Sequence, residues 1–294
     1  MKKILITGAN SYIGISFERY IKDNYNCVYS IDTIDMINPN WRNKSFSGYD
    51  AVFHVAGIAH SESGKISDEK ARLYYSVNTD LTKETAKKAK SDGVSQFVFM
   101  SSAIVYGASA PIGKSKIITE ATPVNPENCY GDSKVQAEKG ILPLQDDTFK
   151  VVILRPPMIY GHGCKGNYSL LSKIAKKTLV FPYINNSRSM IYIENFCEFV
   201  RLVIDNEEQG IFHPQNNEYS NTSEIVVLIG NAQGKKVRLV KGLAWLLRAL
   251  SHISGLVNKA FGNLSYSKEL SVYKTDYCKY SLEQSIKKTE SHSI

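Results

Sequence analysis

Short apolar runs alternate with longer amphipathic stretches along the first half of the chain. The apolar runs are rich in β-branched residues and cover positions 3–7, 27–31, 51–55, 97–100 and 151–154. Between them, apolar positions recur with helical spacing, most clearly over 13–21, 67–91 and 133–144. Continuous apolar runs predict strands that are buried on both faces, and their alternation with helices predicts crossover units. The pattern therefore predicts an α/β protein with a parallel sheet.

The amino-acid composition and the hydrophobic pattern change after Arg155. The next dozen residues are rich in proline and glycine, and short strand and helix patterns mix beyond them. We therefore expect a doubly wound parallel sheet within residues 1–165. Residues 166–294 are expected to form a smaller lobe, mainly for substrate binding, with some segments that return to the core of the first domain. Open α/β sheets bind ligands outside the carboxyl ends of their strands, so the lobe is expected to cover that crevice.

The composition is that of an ordinary globular protein. The chain has 294 residues, of which 43% are hydrophobic and 22% are charged. Its formal net charge of +8 would suit an anionic small ligand, a nucleic acid or a membrane surface. No stretch combines basic and aromatic residues as RNA-binding motifs do, so we expect no nucleic acid partner. Most of the charges are interpreted as a solvated surface.

Cysteine usage and hydropathy bear on the compartment. The five cysteines are scattered and have no C-x-x-C spacing, which predicts a reduced, cytoplasmic protein without disulfides or a metal site. The N-terminal apolar run is too short for a signal peptide. The longest apolar stretch, 243–261, is interrupted by Arg248, His252 and Lys259. We interpret it as an amphipathic helix packed on the protein, and we expect no stable membrane insertion.

A glycine-containing turn joins the first predicted strand to the first predicted helix. Gly8 and Gly14 bound this turn, where the backbone can approach a pyrophosphate and the helix N-terminus offers free N–H groups. Asp32 follows the second predicted strand, where a carboxylate can accept hydrogen bonds from both ribose hydroxyls of an adenosine. The same carboxylate would repel a 2′-phosphate. The order of these elements predicts a dinucleotide site that favours NAD(H), with NADP(H) as the alternative.

A tyrosine and a lysine four residues apart stand at the head of a predicted helix. Tyr130 and Lys134 should therefore share one helix face. A nearby ammonium favours the phenolate, so the tyrosine could exchange a proton with a carbonyl or an alcohol. Ser102, or else Ser101, follows an apolar run and could hold the substrate oxygen. Such Tyr–Lys pairs also occur by chance on solvated helices, so this interpretation depends on the rest of the chain.

Taken together, these motifs resemble those of the extended short-chain dehydrogenase/reductase family. The resemblance rests on T-G-x-x-x-x-x-G at 7–14, Asp32, Asn78, Ser102 and Y-x-x-x-K at 130–134, and it covers essentially the whole chain. It implies a Rossmann-type fold and an NAD(P)-dependent enzyme that acts on a nucleotide sugar, as a cytoplasmic homodimer. One position departs from the family pattern, because Ser11 occupies the place of the usual middle glycine.

The resemblance also implies roles for individual residues. Tyr130 would be the acid/base, Lys134 would hold the nicotinamide ribose and lower the pKa of the phenol, and Ser102 would orient the sugar oxygen. The implied cofactor-binding residues are Gly8, Asn10, Ser11, Tyr12, Ile13, Gly14, Asp32, Ala56, Gly57, Asn78, Tyr130, Lys134 and Pro157. The implied substrate-binding residues are Ser102, Ala103, Asn167, Pro182 and Arg188, with Arg188 on the diphosphate and the segment around Pro182 near the uracil. No metal is implied.

Four shorter segments resemble a narrower group of capsule and O-antigen enzymes. Residues 155–161, 164–167, 187–193 and 261–267 are similar to enzymes that reduce C4 of UDP-4-keto-6-deoxy-N-acetylhexosamines. Ala103 follows Ser102 where dehydratases carry acidic residues, so 4,6-dehydration is not expected, and Met158 replaces an asparagine typical of UDP-galactose epimerases. An NAD-dependent UDP-sugar 4-epimerase remains the alternative. A non-catalytic dinucleotide-sensing or RNA-binding protein is the alternative from another class, and the intact serine, tyrosine and lysine argue against it.

Overall fold

A computed structural model describes residues 1–59, 66–242 and 261–291. The strands are β1 (Lys2–Thr7), β2 (Tyr29–Ile34), β3 (Ala51–His54), β4 (Gln96–Met100), β5 (Ile117–Ile118), β6 (Lys150–Leu154), β7 (Met158–Tyr160), β8 (Val180–Pro182), β9 (Met190–Tyr192), β10 (Gly210–Phe212), β11 (Arg238–Val240) and β12 (Ser265–Tyr266). The α-helices are α1 (Tyr12–Tyr25), α2 (Asp68–Tyr74), α3 (Leu81–Ser91), α4 (Cys129–Ile141), α5 (Asn167–Lys177), α6 (Ile193–Asp205), α7 (Thr222–Ala232) and α8 (Leu282–Ser291). The predicted helix at 243–261 lies almost wholly outside the described residues.

Six parallel strands form the central sheet, in the order β10-β6-β4-β3-β1-β2. β2 lies on one side of β1, and β3, β4, β6 and β10 follow on the other side. Strands added in both directions make the sheet doubly wound, so the predicted fold class is confirmed. The strands owe their place to their apolar residues: Phe53, Val98 and Ile153, on three adjacent strands, are completely buried. Such strands require cover on both faces, as the amphipathic helices provide.

The second strand differs from its predicted bounds. The apolar pattern ended at residue 31, but the ladder with β1 continues through the pairs Leu5↔Asp32 and Thr7↔Ile34. Asp32 therefore lies inside the strand and not at its end. Backbone hydrogen bonds set a strand's length, and polar side chains on an exposed strand end are compatible with them.

Two predicted helices also change. The stretch 67–91 is divided into α2 and α3 by a π-helical turn, Tyr75–Asp80. The helix predicted over 133–144 begins earlier, because the side chain of Asn128 caps it by accepting a 2.8 Å hydrogen bond from the Gly131 N–H. Tyr130 and Lys134 thus both lie within α4, as their spacing predicted.

The chain divides into two compact units. The first comprises 1–107, 123–156 and 197–214, and the second comprises 108–122, 157–196 and the residues from 215 onward. The first unit contains the six-stranded sheet, whereas the second contains the parallel strand pairs β5–β12, β7–β9 and β8–β11. The domain boundary near residue 165 stays a prediction. In the part of the chain that the structure describes, no helix is long and apolar enough to cross a membrane.

Candidate functional site

The turn after β1 is closely packed against neighbouring backbone. Gly8 has φ +100°, and a Cβ on it would lie 2.7 Å from the backbone nitrogen of Ala56. The N–H groups of Gly8 and Ala9 donate to the carbonyl of Ile34, at 2.9 and 3.0 Å. Only glycine fits a position with this φ and this close approach of neighbouring backbone.

Ser11, the departure from the family pattern, caps the helix that follows the turn. Its hydroxyl accepts a 3.1 Å hydrogen bond from the N–H of Gly14, as N-cap serines do. Asn10 precedes it with φ +68°, a left-handed conformation that asparagine tolerates. The helix thus starts at Tyr12 with its positive dipole end at the turn, which is the arrangement that binds phosphate groups.

The carboxylate of Asp32 is exposed on β2 and is held from one side. The hydroxyl of Tyr49 donates a 2.9 Å hydrogen bond to Asp32 Oδ2. Burial, reinforced by this carboxylate, raises the pKa of Tyr49 to about 12, so the phenol stays a donor at neutral pH. The other carboxylate oxygen can accept from a ribose. The sequence pattern offered no signal for Tyr49, because the contact joins residues that are distant along the chain.

Ser102 and Tyr130 are brought together at the end of β4 and the start of α4. A side-chain hydrogen bond joins them, and both side chains are only partly buried. Burial raises the pKa of the Tyr130 phenol, and the bond with Ser102 acts against that rise. The resemblance implied a pKa lowered by Lys134. In this structure burial prevails, and the phenol keeps its proton at neutral pH.

Lys134 is buried beside this pair. Its Nζ donates a 2.8 Å hydrogen bond to the carbonyl of Met100 and lies 4.7 Å from the centroid of the Phe99 ring. Burial lowers the pKa of Lys134 to about 8, while Glu138 opposes the change. A Cβ on Gly57 would lie 3.2 Å from this Nζ. The same Cβ would lie 3.0 Å from Asn78 Oδ1, so Gly57 is packed against both side chains.

Asn78 is completely buried in the π-helical turn and serves as a link between segments. Its Nδ2 donates to the Ile58 carbonyl at 3.1 Å and to Ser133 Oγ at 3.0 Å, and its Oδ1 accepts from the Ile58 N–H at 2.8 Å. These bonds tie the loop after β3 to α4. A π-turn often marks a functional site. The contact of Asn78 with a cofactor stays a prediction.

A buried ion pair lies behind the site. Arg155 donates to both oxygens of Glu138, from Nε at 3.1 Å and from Nη2 at 2.6 Å. The Ser101 hydroxyl also donates to Glu138, at 2.5 Å, so Ser101 is engaged away from a substrate, and Ser102 is the better candidate of the two. Sequence reasoning missed Glu138. Its signal was the spacing of four from Lys134, which puts Tyr130, Lys134 and Glu138 along one helix face.

The remaining predicted residues are distributed over both units. Ala103 lies in the first unit, where its N–H donates to the carbonyl of Pro156 at 2.9 Å. The second unit contains Pro157, Asn167, Pro182 and Arg188. Arg188 is buried, and burial lowers the pKa of its guanidinium to about 10, which leaves it charged at neutral pH. The substrate contacts of these residues stay predictions.

His54, at the end of β3, is buried and structural. Its Nδ1 lies 2.6 Å from Thr7 Oγ1 and its Nε2 lies 3.0 Å from Thr82 Oγ1. Because Thr82 donates its own proton to the Asn78 carbonyl at 2.8 Å, Nε2 must be the protonated nitrogen and Nδ1 the acceptor. Burial lowers the pKa of His54 to about 3, so the imidazole is neutral in the folded protein.

This depressed pKa predicts an acid-sensitive fold. The unfolded chain protonates His54 near pH 6.5, whereas the folded chain does not until about pH 3, so the unfolded state binds more protons in between. Within that window, each decrease of one pH unit should therefore lower the free energy of unfolding by about 1.4 kcal/mol, because of His54. Urea unfolding of the wild type and of His54→Asn at several pH values checks this. Equal pH slopes for the two proteins would contradict it.

Comparisons with known proteins identify the family of the chain. The family model described as "NAD dependent epimerase/dehydratase family" matches residues 4–213. A UDP-glucose 4-epimerase of Vibrio cholerae is 31% identical over 231 residues, which are 74% of this chain and 70% of that protein. An Escherichia coli O157:H7 relative, N-acetyl-alpha-D-glucosaminyl-diphospho-ditrans,octacis-undecaprenol 4-epimerase, is 28% identical over 201 residues, 66% of this chain and 58% of that protein.

Solved structures agree on the fold. UDP-glucuronic acid 4-epimerase from Bacillus cereus, in complex with NAD, superposes with a TM-score of 0.74. Its sequence is 17% identical, and the similarity covers 99% of this chain and 98% of the other. An identity this low supports the shared architecture alone. The epimerase/dehydratase model, by contrast, spans the turn after β1, the strand with Asp32 and the pair of Tyr130 and Lys134.

Proposed function

Because the chain belongs to the NAD-dependent epimerase/dehydratase family, we propose that it reduces the C4 keto group of a UDP-4-keto-6-deoxy-N-acetylhexosamine. Members of this family are enzymes that bind NAD(P) and act on nucleotide sugars. The observation that carries the proposal is the hydrogen bond between Ser102 and a protonated Tyr130, with Lys134 buried one turn further along α4. A reductase needs an acid at O4, and burial keeps this phenol in its acid form.

Different residues of the chain would bind the cofactor and transfer the proton. The turn with Gly8 and the N-terminus of α1 would hold the pyrophosphate, and Asp32 would hold the adenosine ribose. Lys134, whose Nζ lies close to Gly57, would hold the second ribose. The bound dinucleotide would supply a hydride. Tyr130 would give its proton to O4 while Ser102 keeps that oxygen in place.

The turn after β1 and the start of α1 support the proposed dinucleotide site. Gly8 has φ +100°, and α1 begins at Tyr12, so the positive end of the helix dipole lies at the turn, where a pyrophosphate would bind. Asp32 favours NAD(H), because an exposed carboxylate would repel a 2′-phosphate. We expect NADH to bind more tightly than NADPH. Fluorescence titration of the reduced cofactors tests this preference.

A second candidate is an NAD-dependent 4-epimerase, which two relatives favour by their names. It would use the same residues, with Tyr130 first taking a proton from O4 and later returning one. Burial raises the pKa of Tyr130, so the phenol is protonated at neutral pH. A reductase needs this form at the outset, which is the reason to rank the reductase first. The E. coli relative's name also raises a polyprenyl-diphosphate sugar as a substrate for this chain.

The proposal extends to the setting of the reaction. We place the enzyme in the cytoplasm, as a homodimer that serves capsule or O-antigen synthesis. Asn167, Pro182 and Arg188 would contact the UDP-sugar, and the permanently charged guanidinium suits its diphosphate. Sedimentation of the purified chain would test the dimer.

One incubation separates the candidate functions. The protein is mixed with NADH and the 4-keto sugar nucleotide made freshly from UDP-N-acetylglucosamine by a dehydratase. Stoichiometric loss of NADH absorbance, with a C4 alcohol identified by NMR, supports the reductase. Interconversion of UDP-N-acetylglucosamine and its 4-epimer without added cofactor would replace it with the epimerase. Cofactor binding without turnover of either sugar would favour a non-catalytic dinucleotide-binding protein.

A further inference from the structure

Two neighbouring segments of the second unit carry exposed residues that have no role in the proposed reaction, apart from Asn167 and Pro182 at the two ends of the first segment. Residues 167–182 contain α5 and β8, and residues 234–242 contain β11. β11 pairs in parallel with β8, with Leu239 opposite Phe181. The Nζ of Lys235 also donates to the carbonyl of Lys176. The two segments are thus held together, and we call their exposed side the α5–β11 surface.

The α5–β11 surface exposes aliphatic side chains. Leu179 and Val180 are 66% and 52% exposed, and Leu170, Ile174 and Val240 are exposed as well. Aliphatic residues are scattered singly on most protein surfaces. Here five of them fall in two adjoining segments, and such a concentration is typical of a contact with a partner or a membrane.

The same surface is strongly and uniformly basic. The two segments contain seven lysines and arginines and no aspartate or glutamate. Within residues 1–59, 66–242 and 261–291, Lys176 is the member of this group that pairs with a carboxylate, that of Glu290 at 3.0 Å. The other six are exposed. Their positive field is therefore directed at solvent and not neutralised by an acidic neighbour.

Cationic and aliphatic residues are interleaved on α5. Leu170, Lys173, Ile174 and Lys177 have spacings of three and four, so they lie along one exposed helix face. Lysine stems extend over apolar surface while the ammonium groups reach outward. Such a face presents apolar groups and cations to the same plane, as interfacial helices do.

We propose that the α5–β11 surface docks the protein onto an anionic lipid bilayer. The aliphatic side chains would enter the headgroup region, and the cations would lie among lipid phosphates. A nucleic acid would match the charge but would leave the five aliphatic residues without a partner. The inference concerns peripheral attachment only and does not depend on which sugar is turned over.

Vesicle co-sedimentation of the full chain tests the docking. We expect the protein to sediment with vesicles of phosphatidylglycerol and phosphatidylcholine, and to stay in solution with phosphatidylcholine alone or at 1 M salt, where charges are screened beyond about 3 Å. The variants Lys173→Glu/Lys177→Glu and Leu170→Ser/Ile174→Ser should each weaken binding at least about tenfold. Their thermal unfolding, followed in parallel, confirms that they are folded.

The matched control is Lys87→Glu/Lys139→Glu, which changes the net charge equally on exposed positions of α3 and α4. It should bind vesicles almost as the wild type does. An equal loss in the control would show that net charge alone is responsible, and would overturn the assignment to this surface. So would binding that survives both α5 variants, or an absence of binding to anionic vesicles. Displacement of the protein from vesicles by a short DNA duplex at equal phosphate concentration would favour a nucleic acid partner instead.

Discussion

Tyr130→Phe is expected to lower turnover of the sugar nucleotide by about 10² to 10⁴-fold, the usual contribution of a positioned general acid. The ring that packs against Tyr74, with centroids 6.0 Å apart, is kept, so the fold and the cofactor site should be undisturbed. Only the hydroxyl that bonds to Ser102 is removed. The turnover number, measured with saturating NADH, and the dissociation constant of NADH together check this.

Tyr75→Phe is the matched control for this prediction. Tyr75 also bears a hydroxyl in the same unit, where it donates to Asp132 at 2.8 Å. Burial, reinforced by Asp132, raises its pKa to about 12. Removal of this hydroxyl should change turnover by no more than about twofold, because a phenol that keeps its proton and donates it to Asp132 in a hydrogen bond takes no part in transfer to a substrate. Near-normal turnover by Tyr130→Phe would contradict the proposed mechanism.

Glu138→Gln is expected to have the largest effect on stability, a loss of about 3–5 kcal/mol of unfolding free energy. The substitution leaves the Arg155 guanidinium buried without its carboxylate, and it weakens the acceptor of Ser101. It also removes the charge that opposes the fall in the pKa of Lys134. The pKa of Lys134, about 8 in the wild type, should therefore fall further. The limb of the pH–rate profile that reports this group should move to lower pH. Urea unfolding and the pH profile give two separate readouts.

The chain contains an exposed ion pair with similar geometry. Arg42 donates to Glu84 from Nε at 2.5 Å and from Nη2 at 2.7 Å, with both side chains near half exposure. Glu84→Gln should barely change the unfolding free energy, since solvent screens exposed pairs. The double variant Glu138→Gln/Arg155→Met should recover part of the loss, because it removes the uncompensated charge. A cost for Glu138→Gln no greater than that for Glu84→Gln would contradict the argument.

The sequence pattern was sufficient to predict the parallel sheet and the helix face shared by Tyr130 and Lys134. Apolar strands such as β4 and β6 are buried on both sides, so their composition reports their position directly. Tyr130 and Lys134 are four residues apart, and helical geometry alone predicts their common face. The turn at Gly8 was recognisable because only glycine adopts its conformation there.

The contacts that tune the site join residues distant in the chain, and no local pattern reports them. Tyr49 and Asp32 are 17 residues apart in the sequence, as are Arg155 and Glu138. The bounds of β2 were wrong for a related reason. Its polar residues end the apolar pattern at Asp32, although the backbone ladder goes on. The raised pKa of Tyr130 also depends on tertiary burial, which the spacing to Lys134 does not express.

The cap at the start of α1 has a consequence for how readily the cofactor is released and replaced between turnovers. Ser11 engages the Gly14 N–H, an amide that a glycine at position 11 would leave available for the pyrophosphate. The helix gains a fixed start, and a dinucleotide bound at this turn would lose one donor. Weaker retention is a disadvantage for an enzyme that regenerates its own cofactor within each cycle. It is an advantage for one that must release the oxidised form and take up the reduced form every time, since cofactor exchange then limits the rate less.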